Sequence, residues 1–453
     1  MLQPIAADWL VALRVAYGLI LSVSMWRFLH YGWVDRFFVE PQFHFTYWGL
    51  GWVGVLPGPL LHGLFWALCG LGLLVAGGVW FRASAALLLL GFSYVQVLDV
   101  ATYLNHYYLA ALLGWLLLLS PVGKAGTLAA LARRLRGAPP APVVKMPAAW
   151  LYLLRFQVGV VYVYAGLAKL HADWLGDGQP LGIWLASRED FPLLGPIFRS
   201  SAAPLVFSWA GFLFDSTIVG WLAWRRTRPY AYVVLIAFHT LTSVLFPIGL
   251  FPVIMSVAAL VFFPPDWPRR FLSWRHGPGA VLEPVRRERG GSPSPRARLL
   301  LALGLGYCSL QALLPLRFAL YGGNVRWHEQ GMRFSWRVMV REKNGSVSFK
   351  VTSERTGRVY EVSPGRYLTP LQEREMSAQP DLIAQLARHI RDDFARRGLG
   401  PVQVHADAWA SLNGRRARRL IDPDVDLAAV DDGLAPARWI LPAPAEPAPA
   451  RRG

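Results

Sequence analysis

A chain of 453 residues that is 54% hydrophobic, 13% aromatic and only 16% charged falls among integral membrane proteins and is too apolar for an ordinary soluble one. Its net charge of +18 is compatible with nucleic acid, but the basic residues stand in short runs between apolar segments, so loops beside a bilayer account for them and no nucleic-acid partner is expected. Cys69 and Cys308, the only cysteines, both lie inside apolar segments, which argues against a disulfide framework or a zinc site.

The opening MLQPIAADWLVAL lacks the positive stretch and small-residue cleavage pattern of a signal peptide, so its apolar run reads as a retained first span. Runs long enough for a hydrocarbon core of about 30 Å follow at 9–30, 58–78, 82–103, 106–121, 148–169, 203–224, 230–247, 249–264 and 298–316. The expected fold class is a polytopic α-helical membrane protein with about nine transmembrane helices, among which short neighbours containing Pro or Gly could pair as re-entrant segments. With a cytoplasmic N-terminus, the loops on that side carry Lys124, Arg133, Arg134, Arg136 and Lys145, then Arg225, Arg226 and Arg228, then Arg269, Arg270, Arg275, Arg286, Arg287, Arg289, Arg296 and Arg298. The longer loops of the opposite side hold only Arg36, Arg188 and Arg199. That asymmetry satisfies the positive-inside rule, and an odd number of spans puts everything after Leu316 outside the cytoplasm.

From about 317 alternating patterns replace the apolar blocks. FSWRVMVREKNGSVSFKV predicts two strands joined by a type I′ turn at Asn344-Gly345, with a third strand near RVYEV. DLIAQLARHIRDDFARRG places Leu382, Ile383, Leu386, Ile390 and Phe394 at helical spacing, with Gly398 as a stop, and VQVHADAWASL alternates again before Asn413-Gly414. The expected organisation is a helical bundle over 1–316, a small C-terminal α+β extracytoplasmic domain over 317–435, and a disordered tail over 436–453.

Polar groups inside a membrane segment cost about 2.5–3.5 kcal/mol each when charged, and four positions ask for a reason: Lys169 at the end of the fifth run, Asn105-His106 at the start of the fourth, Asp215 in the sixth and His239 in the seventh. The topology above gathers Lys169, Asn105-His106 and His239 at the outer half of the bundle. Each also has a plain structural reading. A terminal lysine snorkels to the interface, a histidine beside Tyr107 and Tyr108 is an aromatic-belt neighbour, and Asp215 caps a bundle contact or pairs with an arginine. His171 and Asp173, two residues apart and with no further ligand, make a weak metal pair, so no metal is expected.

LNHYYLAALLGWL, RFQVGVVYVYAGLAKLHADW, FDSTIVG, FHTLTSVLFPIGLF, FFPPDWPRRFL and LLPLRFALYGGNVRWHEQGMRFSWRVMVR, with a later echo in DAWASLNGRRARRLIDPDVDL, together resemble the vitamin K-dependent gamma-glutamyl carboxylase family, whose membrane part is the HTTM domain. The similarity runs in order over roughly 10–430, as in a short bacterial-type homologue. It implies an enzyme that couples oxygenation of a reduced vitamin K quinone, phylloquinol or menaquinol, to carboxylation of a protein glutamate at its γ-carbon, with O2 and CO2 as co-substrates. Residue by residue, Lys169 matches the family's catalytic lysine base, His106 the histidine implicated in epoxidation, Asn105 the residue before it, and His239 a further family histidine. The vertebrate enzymes carry a lysine doublet where this chain has Ala168-Lys169; the retained lysine is the one assigned as base.

The chemistry accounts for those residue types. A lysine in water is protonated at pH 7, and burial at the mouth of an apolar bundle disfavours the ammonium, so a buried lysine can take a proton from a quinol hydroxyl. The γ-hydrogen of glutamate is too weakly acidic for any side chain; in the family, quinol oxygenation releases a strong alkoxide base, which must act in a water-excluded pocket. Asn105, His106 and His239 are candidate hydrogen-bond partners for quinone oxygens. The tail would present the glutamate, with Arg326, Arg333 or Arg337 near its carboxylate and Trp336 beside the site. The expected partners are a glutamate-containing protein or peptide and the lipid bilayer, the expected location a bacterial inner membrane. Two other readings stay open: a quinol epoxidase of the same family with a different acceptor or none, and a polytopic lipid- or anion-binding transporter in which Lys169 and His106 hold a headgroup.

Overall fold

Each of the nine apolar runs folds as a helix: α1 (Asp8–His30), α2 (Gly58–Gly77), α3 (Phe81–Val97), α4 (Asn105–Leu119), α5 (Ala149–Leu167), α6 (Ala203–Ala223), α7 (Arg228–Leu245), α8 (Phe251–Ala258) and α9 (Pro295–Leu313). The computed structural model that gives this fold describes residues 3–449 apart from 125–126, 129–131, 134–135, 137–143, 193, 275–293 and 432. Nine helices are not nine spans, however. Among the described residues, five helices are long and apolar enough to cross a membrane: α1, α2, α5, α6 and α9 with its continuation to Leu320. With 15 and 8 residues, α4 and α8 reach about 22 and 12 Å at the helical rise, short of a hydrocarbon core of about 30 Å. The 18 residues of α7 include Arg228, His239, Thr240, Thr242 and Ser243. The five long apolar helices mark an integral membrane protein.

Small residues set how closely the helices approach. A Cβ at Gly18 would lie 2.4 Å from the Gly72 carbonyl oxygen and one at Gly72 2.8 Å from that of Gly18, so α1 and α2 meet backbone to backbone. Ser22 reinforces the crossing by donating to the Cys69 carbonyl at 2.9 Å. The same device operates between α5 and α6. A Cβ at Gly166 would lie 2.7 Å from Ser216 Oγ and 3.1 Å from the Ser216 backbone nitrogen, and this approach brings the end of α5 against the middle of α6.

The two ends of the bundle differ. At one end Asp8 pairs with Arg269 at 2.7 Å, the short strand β1 (Pro4–Ala6) pairs with β2 (Lys145–Pro147), and Arg155 donates to the Val261 and Phe262 carbonyls at 2.8 and 3.0 Å. Of the basic residues expected there, Arg134, Arg275, Arg286, Arg287 and Arg289 lie outside the described residues. The opposite end carries the C-terminal domain.

That domain is an antiparallel sheet of order β4-β3-β5-β6, formed by β3 (Lys343–Ser353), β4 (Val359–Val362), β5 (Val402–Leu412) and β6 (Arg418–Arg419), with α10 (Pro370–Ser377) and α11 (Pro380–Arg396) packed on it. As the spacing predicts, Leu382, Ile383, Leu386, Ile390 and Phe394 are buried, and Gly398, at φ 70°, follows the helix end. Phe45 and Val100, from loops of the membrane part, complete this core.

The expected hairpin at Asn344-Gly345 is absent. Both residues lie inside β3, opposite Ser411 and Ala410 of β5. Gly345 serves a close approach and not a turn, because a Cβ there would lie 2.0 Å from the Ser377 carbonyl oxygen at the end of α10. The stretch before β3 is not a strand either: Phe334, Trp336 and Met339 sit at φ 57°, 57° and 51°, conformations that cost about 1–3 kcal/mol each where nothing enforces them. Burial enforces them here. Trp336 is fully buried within the bundle core and stacks on Tyr108 at 4.9 Å, while the Phe334 N–H donates to the Tyr103 hydroxyl at 2.9 Å. The segment thus plugs into the bundle.

The tail expected to be disordered packs over its described part. Leu441 accepts a hydrogen bond from Trp327 Nε1 at 2.8 Å, Ile440 bridges to Ile421, and Ala448 is buried. A sequence poor in apolar residues is held here through its carbonyls, which satisfy buried donors; residues 450–453 lie outside the described residues.

A charged clamp docks the two parts. Asp173, between α5 and α6, accepts from Arg415 at 2.7 and 2.8 Å and from Asn413 at 2.7 Å. Burial pushes the Asp173 carboxyl up, but the hydrogen bonds from Arg415 and Asn413 and the charges of Arg326 and Arg415 outweigh it and hold it at about 2. A carboxyl depressed from about 3.9 contributes about 2 kcal/mol to the docked form at neutral pH, a contribution lost as pH falls from about 4 to about 2. In limited proteolysis Asp173→Asn is expected to expose the C-terminal domain faster than wild type at pH 7, with the gap closing through that window. A gap of constant size down to about pH 2 contradicts the clamp.

Candidate active site

Lys169 stands two residues past the end of α5, where the last turn leaves carbonyls without helical partners. Its Nζ donates to Asp215 Oδ2 of α6 at 2.7 Å and to the Ala165 carbonyl at 3.1 Å, and lies 5.1 Å over the Trp174 ring. The lysine is 5% exposed and the aspartate 7%, so both are withdrawn from water and from the interface to which a snorkelling lysine would reach. Trp174 is itself fixed by an indole hydrogen bond to the Ser208 carbonyl at 2.8 Å.

Tyr162, Ala165, Gly166 and Lys169 fall at intervals of three and four, one stripe along a helix, and that stripe faces α6 and α7. The Tyr162 hydroxyl is hydrogen-bonded to His239 Nε2 at 2.8 Å. His239 is 2% exposed, and its Nδ1 is buried without a partner. Lys169, Asp215, Tyr162 and His239 all line one cavity of about 180 Å³, walled mainly by apolar side chains that include Phe238, Phe251, Val338 and Met339. Small-molecule sites have this character, apolar walls with a few convergent polar groups.

The other expected site residues are placed differently. His106 is buried behind the wall: its ring lies 6.3 Å from that of Phe251, which in turn lies 6.0 Å from His239. Asn105 accepts from the Tyr103 hydroxyl at 2.9 Å. Arg333 is engaged elsewhere, on Asp381 Oδ2 at 2.6 Å and on Gln379, where it locks the plug to the start of α11. Trp336 packs on Tyr108, while its neighbours Val338 and Met339 reach the cavity. Sequence reasoning treated Asp215 as structural and passed over Tyr162. The i, i+3, i+7 spacing back from Lys169 was the available signal for Tyr162; Val338 and Met339 gave none, because their backbone follows no period.

The arrangement can hold and move one proton. The 2.7 Å contact sets one buried amine against one buried carboxyl group on the same apolar wall, two proton-transfer groups within hydrogen-bond reach of each other. A ligand hydroxyl entering the cavity meets a wall to which Lys169, Asp215, Tyr162 and His239 all contribute.

The comparisons with known proteins agree with this architecture. No solved structure matches the chain. The HTTM domain family matches residues 2–267, the helices that build the cavity, and the lumenal domain of vitamin K-dependent gamma-carboxylase matches residues 296–446, the last apolar helix, the plug and the sheet domain, which points to a non-cytoplasmic C-terminal region. The chain, with more than half its length in the first match and most of the rest in the second, belongs to the vitamin K-dependent gamma-carboxylase family.

Proposed function

We propose that the chain is a quinol-dependent γ-glutamyl carboxylase that couples epoxidation of reduced vitamin K by O2 to carboxylation of a protein glutamate. The observation that carries this reading is the buried Lys169–Asp215 pair in the wall of an apolar cavity beneath the C-terminal domain. The residues present fit a quinol: the walls suit a fused ring and a prenyl chain, and the unpartnered His239 Nδ1 and the Lys169 amine suit two ring oxygens. When bound, the reduced quinone supplies, with O2, the strong base that glutamate deprotonation requires.

The chain's own residues do the rest. Lys169 accepts the hydroxyl proton, and Asp215 holds the lysine in place and balances its charge. Tyr162 fixes the orientation of His239 and leaves Nδ1 for the ligand. His106, one ring behind the wall, acts as a positioning residue through Phe251 and the Gly249 turn, whose Cα would carry a Cβ 3.7 Å from the His106 ring. Water exclusion comes from the plug, since Val338 and Met339 close the side that the C-terminal domain covers. The N-terminus lies in the cytoplasm of a bacterial cell, the sheet domain outside its inner membrane, and the glutamate arrives from that side.

The assay is direct. In nanodiscs with reduced vitamin K, O2, labelled bicarbonate and a glutamate-rich peptide, quinone epoxide and peptide-bound label are expected to form together. Epoxide without label identifies an epoxidase with another acceptor, and anion flux without quinol oxidation identifies a transporter. Cysteines introduced into the 122–147 loop and after 320 are expected to react from opposite sides of the membrane.

A further inference from the structure

Beside the Lys169–Asp215 pair lies a second group of side chains with more donors than acceptors. His171 Nδ1 accepts from the Trp174 backbone N–H at 3.2 Å and from Arg326 Nη1. A ring nitrogen that accepts two N–H groups carries no proton, so the neutral ring is protonated at Nε2. Burial, together with the charge of Arg326, pushes His171 down to about 3, which keeps the ring neutral at working pH. That Nε2–H is buried and has no acceptor among the described residues, and the same is true of Arg337 Nε–H. The Arg337 guanidinium lies 4.0 Å over the Phe318 ring with Arg326 as its charged neighbour. Among the described residues, Arg326 has only Asp173, at 3.8 Å, as an ionic partner, and that carboxylate is already committed to Arg415. Among the described residues, Lys169, Arg326 and Arg415 thus share two carboxylates, Asp215 and Asp173, and Arg337 adds a further positive charge beside Arg326.

Buried donors without acceptors and cations in excess of anions are both costly, and one bound anion relieves both. Position selects which anion. His171 is two residues from Lys169 and feels its charge, and Arg337 directly precedes the cavity-lining Val338 and Met339, so the donors adjoin residues of the cavity wall without lining it themselves. We infer that His171 Nε2–H, Arg337 Nε–H and the Arg326 guanidinium form a cradle for the side-chain carboxylate of an acceptor peptide, holding its γ-carbon over the quinol cavity. Planar donors of this kind match a carboxylate. This inference rests on the carboxylase reading for its choice of ligand.

The test is equilibrium binding to the full chain in nanodiscs without quinone or oxygen, so a failure of carboxylation leaves it readable. The probes are two fluorescent pentapeptides, acetylated and amidated at their ends, that differ only in a central glutamate or glutamine. The glutamate peptide is expected to bind at least about tenfold tighter, and acetate to displace it better than bicarbonate or phosphate. Arg337→Gln and His171→Gln are each expected to erase most of that preference in protein that still elutes as a folded species. Arg337→Lys keeps a cation over Phe318 without the Nε donor and serves where the glutamine variant misfolds; it is expected to retain binding but lose most of the preference. Equal binding of the two peptides by wild type overturns the cradle, as does a preference that persists in the folded variants. Displacement by bicarbonate or phosphate in preference to acetate also overturns it, assigning the cations to a carbonate species or to a phosphate headgroup.

Discussion

Lys169→Ala is expected to lower quinone epoxide formation by about 10²–10⁴-fold, the usual contribution of a positioned general base, and incorporation of label into the peptide is expected to fall with it. Among the described residues, Nζ is the only amine on the cavity wall, and alanine leaves a void beside the Asp215 carboxylate. The void makes the experiment more telling than a loss of rate alone. A small primary amine such as ethylamine enters it and restores part of the turnover in Lys169→Ala, more so at higher pH, where a larger share of the free amine is neutral. A lysine that only held α5 against α6 would give a destabilised protein without rescue. Full epoxide formation by Lys169→Ala removes the base assignment altogether.

The helices were legible because a bilayer leaves the backbone few choices: every N–H and C=O must be satisfied within the segment, so an apolar run is a helix. Crossing was not legible from hydropathy to the same degree. At 15 and 8 residues, α4 and α8 read as spans because their flanking loops are apolar too, and the flanks fold as turns and 3₁₀ segments packed inside the protein. In the C-terminal domain the two strongly periodic segments, α11 and β5, formed where the pattern put them.

Asn344-Gly345 misled for a definite reason. That dipeptide favours a type I′ turn locally, but its glycine answers a tertiary demand, the approach of Ser377 O. The plug before β3 resisted prediction because three bulky residues at positive φ follow no propensity scale; only burial of Trp336 in the other domain explains them. The site divides in the same way. Lys169 and His239 stood out as polar residues in apolar runs, whereas the partnership of Lys169 with Asp215 spans 46 positions in sequence and depends on Gly166 admitting α6. Arg333 pairs with Asp381, 48 positions away, a partner that sequence proximity does not reveal.

Asp215→Asn is expected to cost about 3–5 kcal/mol of stability, since removal of one partner leaves the other buried and unpaired. The amide keeps the shape and one acceptor oxygen but not the charge, so Lys169 retains a weak hydrogen bond beside Trp174 and loses its counter-ion. Replacing both residues by apolar ones, Lys169→Met with Asp215→Leu, removes the charge problem instead of exposing it, and thermal unfolding of this double variant is expected to recover most of the loss. Its epoxide formation remains abolished. Stability and activity then separate: the single variant is unstable and impaired, the double variant stable and inactive. A double variant as unstable as Asp215→Asn would show that the pair is not an isolated unit and that further groups depend on it. If the recovery is seen, an apolar wall would have served the fold as well as the ion pair does, and the proton that Lys169 and Asp215 share is the remaining physical reason for burying an amine and a carboxylate side by side at this cavity.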